Sequence, residues 1–134
     1  MLSSPLFSYF DRIAIINLPE RTDRMNLLRD ELARVGLDIN SSKVVIPPAP
    51  KPSDANGFQS RGVYGNLLSH LSILESALAD NLKSVLVLED DAIFSRSFNT
   101  MQNSIVDSLR ANPWDQLFIG HSISTGLPAS RNGL

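Results

Sequence analysis

Residues 83–94 read KSVLVLEDDAIF. Five apolar or small residues, Ser84 to Leu88, run directly into Glu89, Asp90 and Asp91. An unbroken run rich in Val and Leu predicts a strand over 84–88, fit for the core. The carboxylates at its end repel one another, and each resists leaving water. Such a cluster is either a solvated turn or the seat of something positive.

Outward from that strand, the rest of the chain alternates strand and helix. RIAIINL (12–18) is a second, near-continuous apolar run, rich in Ile, and predicts a strand covered on both faces, the parallel-sheet type. In PERTDRMNLLRDELARVG, Met25, Leu28, Leu32 and Val35 are spaced three, four and three apart, one face of a helix, and Gly36 stands where a C-cap belongs. KVVI (43–46) is a short strand. Four prolines between 47 and 52 then exclude helix and central strand, so PPAPKPSDANGFQSRG is a long loop, and a long loop in a small domain is often functional. Leu67, Leu71, Leu74 and Leu78 predict a helix from about Tyr64 to Asp80 with those leucines on its buried face. Phe98, Met101, Ile105 and Leu109 predict another, ended by Asn112-Pro113. DQLFIG (115–120) predicts a fourth strand over 115–119, and the tail HSISTGLPASRNGL is polar and turn-rich. The alternation predicts an α/β fold: a doubly wound, mostly parallel sheet with helices on both faces. Ligands of such sheets bind beyond the carboxyl ends of the strands, where the acidic triplet lies.

Composition narrows the functions. The chain has 134 residues, 43% hydrophobic and 19% charged, which suits a single globular domain over 1–134. Its 12 basic and 14 acidic residues are mixed, so no one-sided basic surface for nucleic acid is expected. The absence of cysteine excludes disulfides, thiolate metal sites and thiol catalysis, and fits a reducing compartment. MLSSPLFSYFDR has neither the basic n-region nor the apolar h-region of a signal peptide, and no run is long enough to span a bilayer. The expected location is cytoplasmic, at most against the inner face of the membrane.

Three motifs carry chemistry, each weighed against a plain structural role. Glu89-Asp90-Asp91, with no basic residue close by in sequence, suits a hard divalent cation such as Mg²⁺ or Mn²⁺, held through one or two carboxylates and completed by phosphate and water. Strand alternation puts Glu89 and Asp91 on one side and Asp90 on the other. NLPERTDR (17–24) turns from the first strand into a helix whose early amides can meet a phosphate, with Arg21 and Arg24 on one face. GVYGNLLSHLSIL (62–74) sets Gly62 and Gly65, which permit close backbone approach, before Ser69 and His70. Taken singly, the last two read more simply as a solvated helix start and a loop entering a helix.

In this order, IINLPERTDRM, GVYGNLLSHLSILESAL and SVLVLEDDAIF closely resemble glycosyltransferase family 25, over roughly residues 12–120. That family includes lipooligosaccharide and collagen galactosyltransferases. The resemblance implies a GT-A, Rossmann-like fold and an inverting transfer from a UDP-hexose such as UDP-galactose to a saccharide acceptor of lipopolysaccharide type. It places Asn17, Leu18, Arg21, Arg24, Gly62, Gly65, Ser69, His70, Glu89 and Asp90 at the nucleotide-sugar donor, and Asp91 with Glu89 on a Mn²⁺ or Mg²⁺ ion. Asn66 departs from the small residue or Cys of many members. Members are also much longer, so the expected domain is the donor-binding half, without the acceptor part. No residue is singled out as catalytic base; His70 is weighed for it, and a structural role is preferred.

Two other readings stand beside this one. The first is a non-catalytic donor-binding or partner module. The second is a receiver-type phosphoacceptor, disfavoured because its first strand should end in an acidic pair, where this one ends in NLPE, and because no Lys follows Lys83. The open sheet edge beyond the last strand predicts self-association as a homodimer.

Overall fold

A computed structural model of the chain describes residues 4–120. Three strands, β1 (Arg12–Ile16), β2 (Val44–Val45) and β3 (Val85–Glu89), alternate with four helices, α1 (Pro5–Tyr9), α2 (Thr22–Arg34), α3 (Arg61–Ala79) and α4 (Phe98–Ala111). The strands form one parallel sheet in the order β2-β1-β3. Ile13 lies opposite Val44 on one side and Leu86 on the other, and β3 runs in register with β1 from Arg12–Val85 to Ile16–Glu89.

β1 is central, and Ile13, Ala14 and Ile15 are fully buried. A strand covered on both faces has no solvent side to alternate with, which is why its sequence is apolar at every position. Ile13 and Ile15 join the main core with Leu28 and Leu32 of α2 and Ile105, Val106 and Leu109 of α4. Arg12 faces the opposite way: its guanidinium donates to Ser76 Oγ at 3.3 Å and pairs with Asp80 at 2.5 Å, which fastens α3 to the second face. The result is a small α/β structure, a three-stranded parallel sheet with helices packed on it, as expected.

Local chemistry sets the ends of these elements. Gly36 takes the left-handed conformation (φ 92°) expected of a C-cap, and the Leu37 amide turns back to the Leu32 carbonyl at 2.9 Å. α1 starts at an N-capping Ser4 with Pro5 behind it. The Ser4 hydroxyl also donates to Gln102 Oε1, which accepts the Leu6 amide at 3.2 Å; a buried amide side chain on α4 is thereby satisfied by the start of α1. The opening turn of sequence gave no expectation of α1.

Two expectations fail, each for a physical reason. The run 115–119 forms no strand, and among the described residues β3 pairs only with β1. Trp114 and Leu117 instead pack on the main core, with Trp114 Nε1 donating to the Leu109 carbonyl at 3.2 Å and its ring beside Tyr9. Side-chain anchoring to α4 and α1 holds this segment without any ladder. The second failure is the phase of α3. Its buried residues are Gly65, Ser69, Ile73 and Ala77, while Leu67, Leu71, Leu74 and Leu78 are 38%, 44%, 50% and 77% exposed. The sheet side of α3 is crowded, so small residues face it and the leucines point outward. α4 shows a milder version: Phe98, Ile105 and Leu109 are buried as expected, but Gln102 and Val106 complete the face and Met101 is exposed. The tail 121–134 lies outside the described residues.

The crowding at Gly65 is specific. A Cβ there would lie 3.1 Å from the Pro50 carbonyl oxygen and 3.3 Å from Pro52 Cδ, because the proline loop crosses the first turns of α3. Gly65→Val is expected to lift the loop off the helix and cost about 1–3 kcal/mol as an overpacked contact. An unchanged Tm by circular dichroism would show that the loop yields freely.

Candidate functional site

The carboxyl ends of β1 and β3 open into a cleft of about 750 Å³. Its floor is Ile16 and the triplet Glu89, Asp90 and Asp91; one wall is the β1–α2 turn with Leu18, Arg21 and Arg24. The other wall is the proline loop, from Ala49 to Pro52, together with the start of α3, from Ser60 to Ser69. A parallel sheet gathers its strand ends at one edge, which is what draws motifs from three parts of the sequence together.

Of the residues singled out in the sequence, Leu18, Arg21, Arg24, Gly62, Gly65, Ser69, Glu89, Asp90 and Asp91 line this cleft. Asn17 and His70 stand behind it. Asn17 is buried and its amide donates to Asp90 Oδ2 at 2.9 Å and to the Arg21 carbonyl at 3.3 Å, tying the two chain turns together. His70 Nε2 lies 3.8 Å from Glu89 Oε1, so it flanks the triplet.

The three carboxylates have different surroundings. Asp90 has a side chain only 11% exposed and pairs with Arg24 at 3.3 Å while accepting from Asn17. It is spoken for within the fold. Glu89 and Asp91 are exposed to the cleft, and Asp91 has no ion-pair partner among the described residues. This is the division that strand alternation predicts, continued into the turn that the Ala92 amide closes on the Glu89 carbonyl at 3.1 Å.

Among the described residues no group of three or more His, Asp or Glu is placed to hold a metal ion by itself. Two carboxylates on an open cleft instead fit a Mg²⁺ or Mn²⁺ ion that takes its remaining oxygens from a diphosphate and water, the usual way such ions sit in phosphate sites. The donor set is all hard oxygen, which matches.

Among the described residues, four cations line the cleft. Arg21 grips Asp23 through Nε at 3.0 Å and Nη2 at 2.9 Å, and that fork pulls the Asp23 carboxyl from 3.8 to about 2. Arg24 pairs with Asp90, and Lys51 of the proline loop pairs with Glu20 across the mouth of the cleft. Arg61 has no carboxylate partner among the described residues. It opens α3, whose N-cap Ser60 accepts the Val63 amide at 3.1 Å. Sequence reasoning missed Lys51 and Arg61. The signal for Arg61 was its place at a helix start beside Gly62; for Lys51 there was only the length of the loop.

The pattern described as glycosyltransferase family 25 (LPS biosynthesis protein) matches residues 40–123, more than half of the chain. The chain belongs to glycosyltransferase family 25. It is 31% identical over 125 residues to a glycosyltransferase 25 family member of Anopheles gambiae, covering 81% of this chain and 21% of that protein. It is 29% identical over 130 residues to the inactive glycosyltransferase 25 family member 3 of Homo sapiens, covering 83% and 22%. Procollagen galactosyltransferase 2 of Homo sapiens is 27% identical over 134 residues, at 83% and 21% coverage. The chain thus spans about a fifth of the length of these relatives. No solved structure matches it. Membership in this glycosyltransferase family sets the receiver reading aside. Relatives named as galactosyltransferases and as inactive members both occur, so membership does not decide activity.

Proposed function

We propose that this family 25 chain is the donor-binding part of a GT-A-like glycosyltransferase and that its cleft takes a nucleoside-diphosphate sugar of the UDP-hexose type. The observation that carries this is the convergence, at the carboxyl edge of a parallel sheet, of Glu89 and Asp91 exposed to the cleft, a helix start, and Arg61, which has no carboxylate partner among the described residues. Asp91 and Glu89 would hold the divalent ion. When bound, the ion supplies Lewis-acid neutralisation of the charge that builds on a departing diphosphate.

The chain's own residues divide the remaining work. Arg61 faces the diphosphate from the start of α3, where the helix amides and dipole favour an anion as well. Gly62 leaves room beside the helix backbone for the nucleotide, while Gly65 lets the proline loop that walls the cleft approach the helix. Asn17 and Arg24 act through Asp90, holding the turn that presents Asp91. Arg21, oriented by its fork with Asp23, lies on the opposite wall for the base or ribose. The family's description as an LPS biosynthesis protein supports a saccharide acceptor of lipopolysaccharide type.

Titrating UDP into the chain with Mn²⁺ by calorimetry tests this reading. Metal-dependent binding is expected; absence of binding with folded protein sinks it. Arg61→Ala should weaken UDP by about tenfold, the loss of one charge-assisted hydrogen bond. An equal affinity would take Arg61 out of the site. The relatives named inactive favour a second reading, donor binding without transfer. Incubation with UDP-galactose separates the two: released UDP signals hydrolysis or transfer, and binding without release signals a binding module.

A further inference from the structure

The segment leaving the acidic triplet is held at a point where no sequence pattern suggested a role. Glu31 and Arg34, in the last turn of α2, grip the main chain of Phe94 from both sides. The Phe94 amide donates to Glu31 Oε1 at 2.8 Å, and Arg34 Nη2 donates to the Phe94 carbonyl at 2.8 Å. The two side chains also pair with each other, Nη2 to Oε1 at 2.5 Å and Nε to Oε2 at 3.2 Å. One carboxylate and one guanidinium thus satisfy both polar groups of a single residue. Arg34 and the Phe94 amide hold the Glu31 carboxyl below its ordinary range, so it stays charged at neutral pH.

α2 touches the same segment a second time, near its start. There Arg24 pairs with Asp90 at 3.3 Å. Asp91 therefore lies between two attachments to one helix, Asp90 before it and Phe94 after it. The Phe94 ring strengthens the second attachment by packing edge-on to Phe7 (5.9 Å) and against Phe98 (4.7 Å). Asp91 itself is exposed, and its side chain has no hydrogen-bond or ion-pair partner among the described residues. Its backbone position is inherited from its neighbours.

We infer that Glu31 and Arg34 are positioning residues for the cleft: by clamping Phe94 they set where Asp91 presents its carboxylate to a divalent cation. This rests on the reading of Asp91 as a cation ligand and extends it to residues outside the cleft. A surface ion pair three apart on a helix contributes only a few tenths of a kcal/mol to a fold. The reach to Phe94 is what gives this one a further use. Groups that orient metal ligands typically cost 10–100-fold in metal affinity when removed.

The test is Mn²⁺ affinity in the presence of UDP, followed by electron paramagnetic resonance on the 134-residue chain and its variants, each checked for folding by circular dichroism. Glu31→Ala should weaken Mn²⁺ by about tenfold. Glu31→Gln, which keeps an oxygen for the Phe94 amide, should retain most of the affinity, and that graded order is not expected of a pair that only stabilises the helix. Arg34→Ala, at a half-exposed position, carries the test should Glu31→Ala fail to fold, with a loss of about threefold expected from one charged hydrogen bond. Wild-type affinity in a folded Glu31→Ala, or in Arg34→Ala, would overturn the positioning role alone. A wild-type chain that binds no Mn²⁺ with UDP would overturn the reading of Asp91 and this inference together.

Discussion

Asp91→Ala is expected to remove metal-dependent UDP binding, a loss of at least about 100-fold, or ~2.7 kcal/mol, as when one member of a desolvated charge pair is truncated. The side chain is the one carboxylate of the triplet with no partner among the described residues, so none of the described contacts depends on it. The variant should therefore fold as the wild type does. Asp90→Asn should behave in the opposite manner. It breaks the pair with Arg24 and disturbs the bond from Asn17, so Tm falls, and binding weakens only as far as the turn loosens. Calorimetry with UDP and Mn²⁺, beside thermal melts of both variants, separates these outcomes. An Asp91→Ala protein with unchanged UDP affinity would show that the triplet holds no ion.

The contrast between Asp90 and Asp91 illustrates what the sequence made legible. Three carboxylates closing an apolar strand mark a candidate site, because adjacent charges repel and call for a partner. Which carboxylate the fold keeps for itself is set by Asn17 and Arg24, more than sixty residues away in the chain, and no local pattern reveals it. The doubly covered central strand was legible for a simple reason. Full burial of Ile13 to Ile15 leaves a run with no polar position, and such runs are rare outside parallel sheets. The run 115–119 carries three apolar residues in a row, Leu117 to Ile119, and forms no strand. An apolar segment needs a neighbouring edge and backbone register as well, and here Trp114 and Leu117 satisfy the segment through side chains alone. The proline loop was legible as a loop. That it crosses α3 and brings Lys51 to the cleft follows only from the contact at Gly65.

A second large effect should come from α3, where hydrophobic periodicity pointed to the wrong face. Ile73→Ala is expected to cost about 2–5 kcal/mol, since Ile73 is 3% exposed and its removal leaves a void between helix and sheet. Leu78→Ala, at 77% exposed, should change stability by less than about 0.5 kcal/mol. Ordered by size of apolar side chain alone, the two substitutions would rank together. The leucines dominated the pattern because they are the largest apolar residues in the helix, yet the sheet face admits small ones: Gly65 lies under the proline loop, and Ser76 accepts the Arg12 guanidinium from β1. Close approach at those two points fixes the rotation of the helix, and Ile73 is the one large side chain on that buried stripe. Urea unfolding of both variants measures the difference directly through the shift in midpoint at constant slope. Equal losses at the two positions would mean that Leu78 is covered in solution, and a larger loss at Leu78 would overturn the helix phase described above.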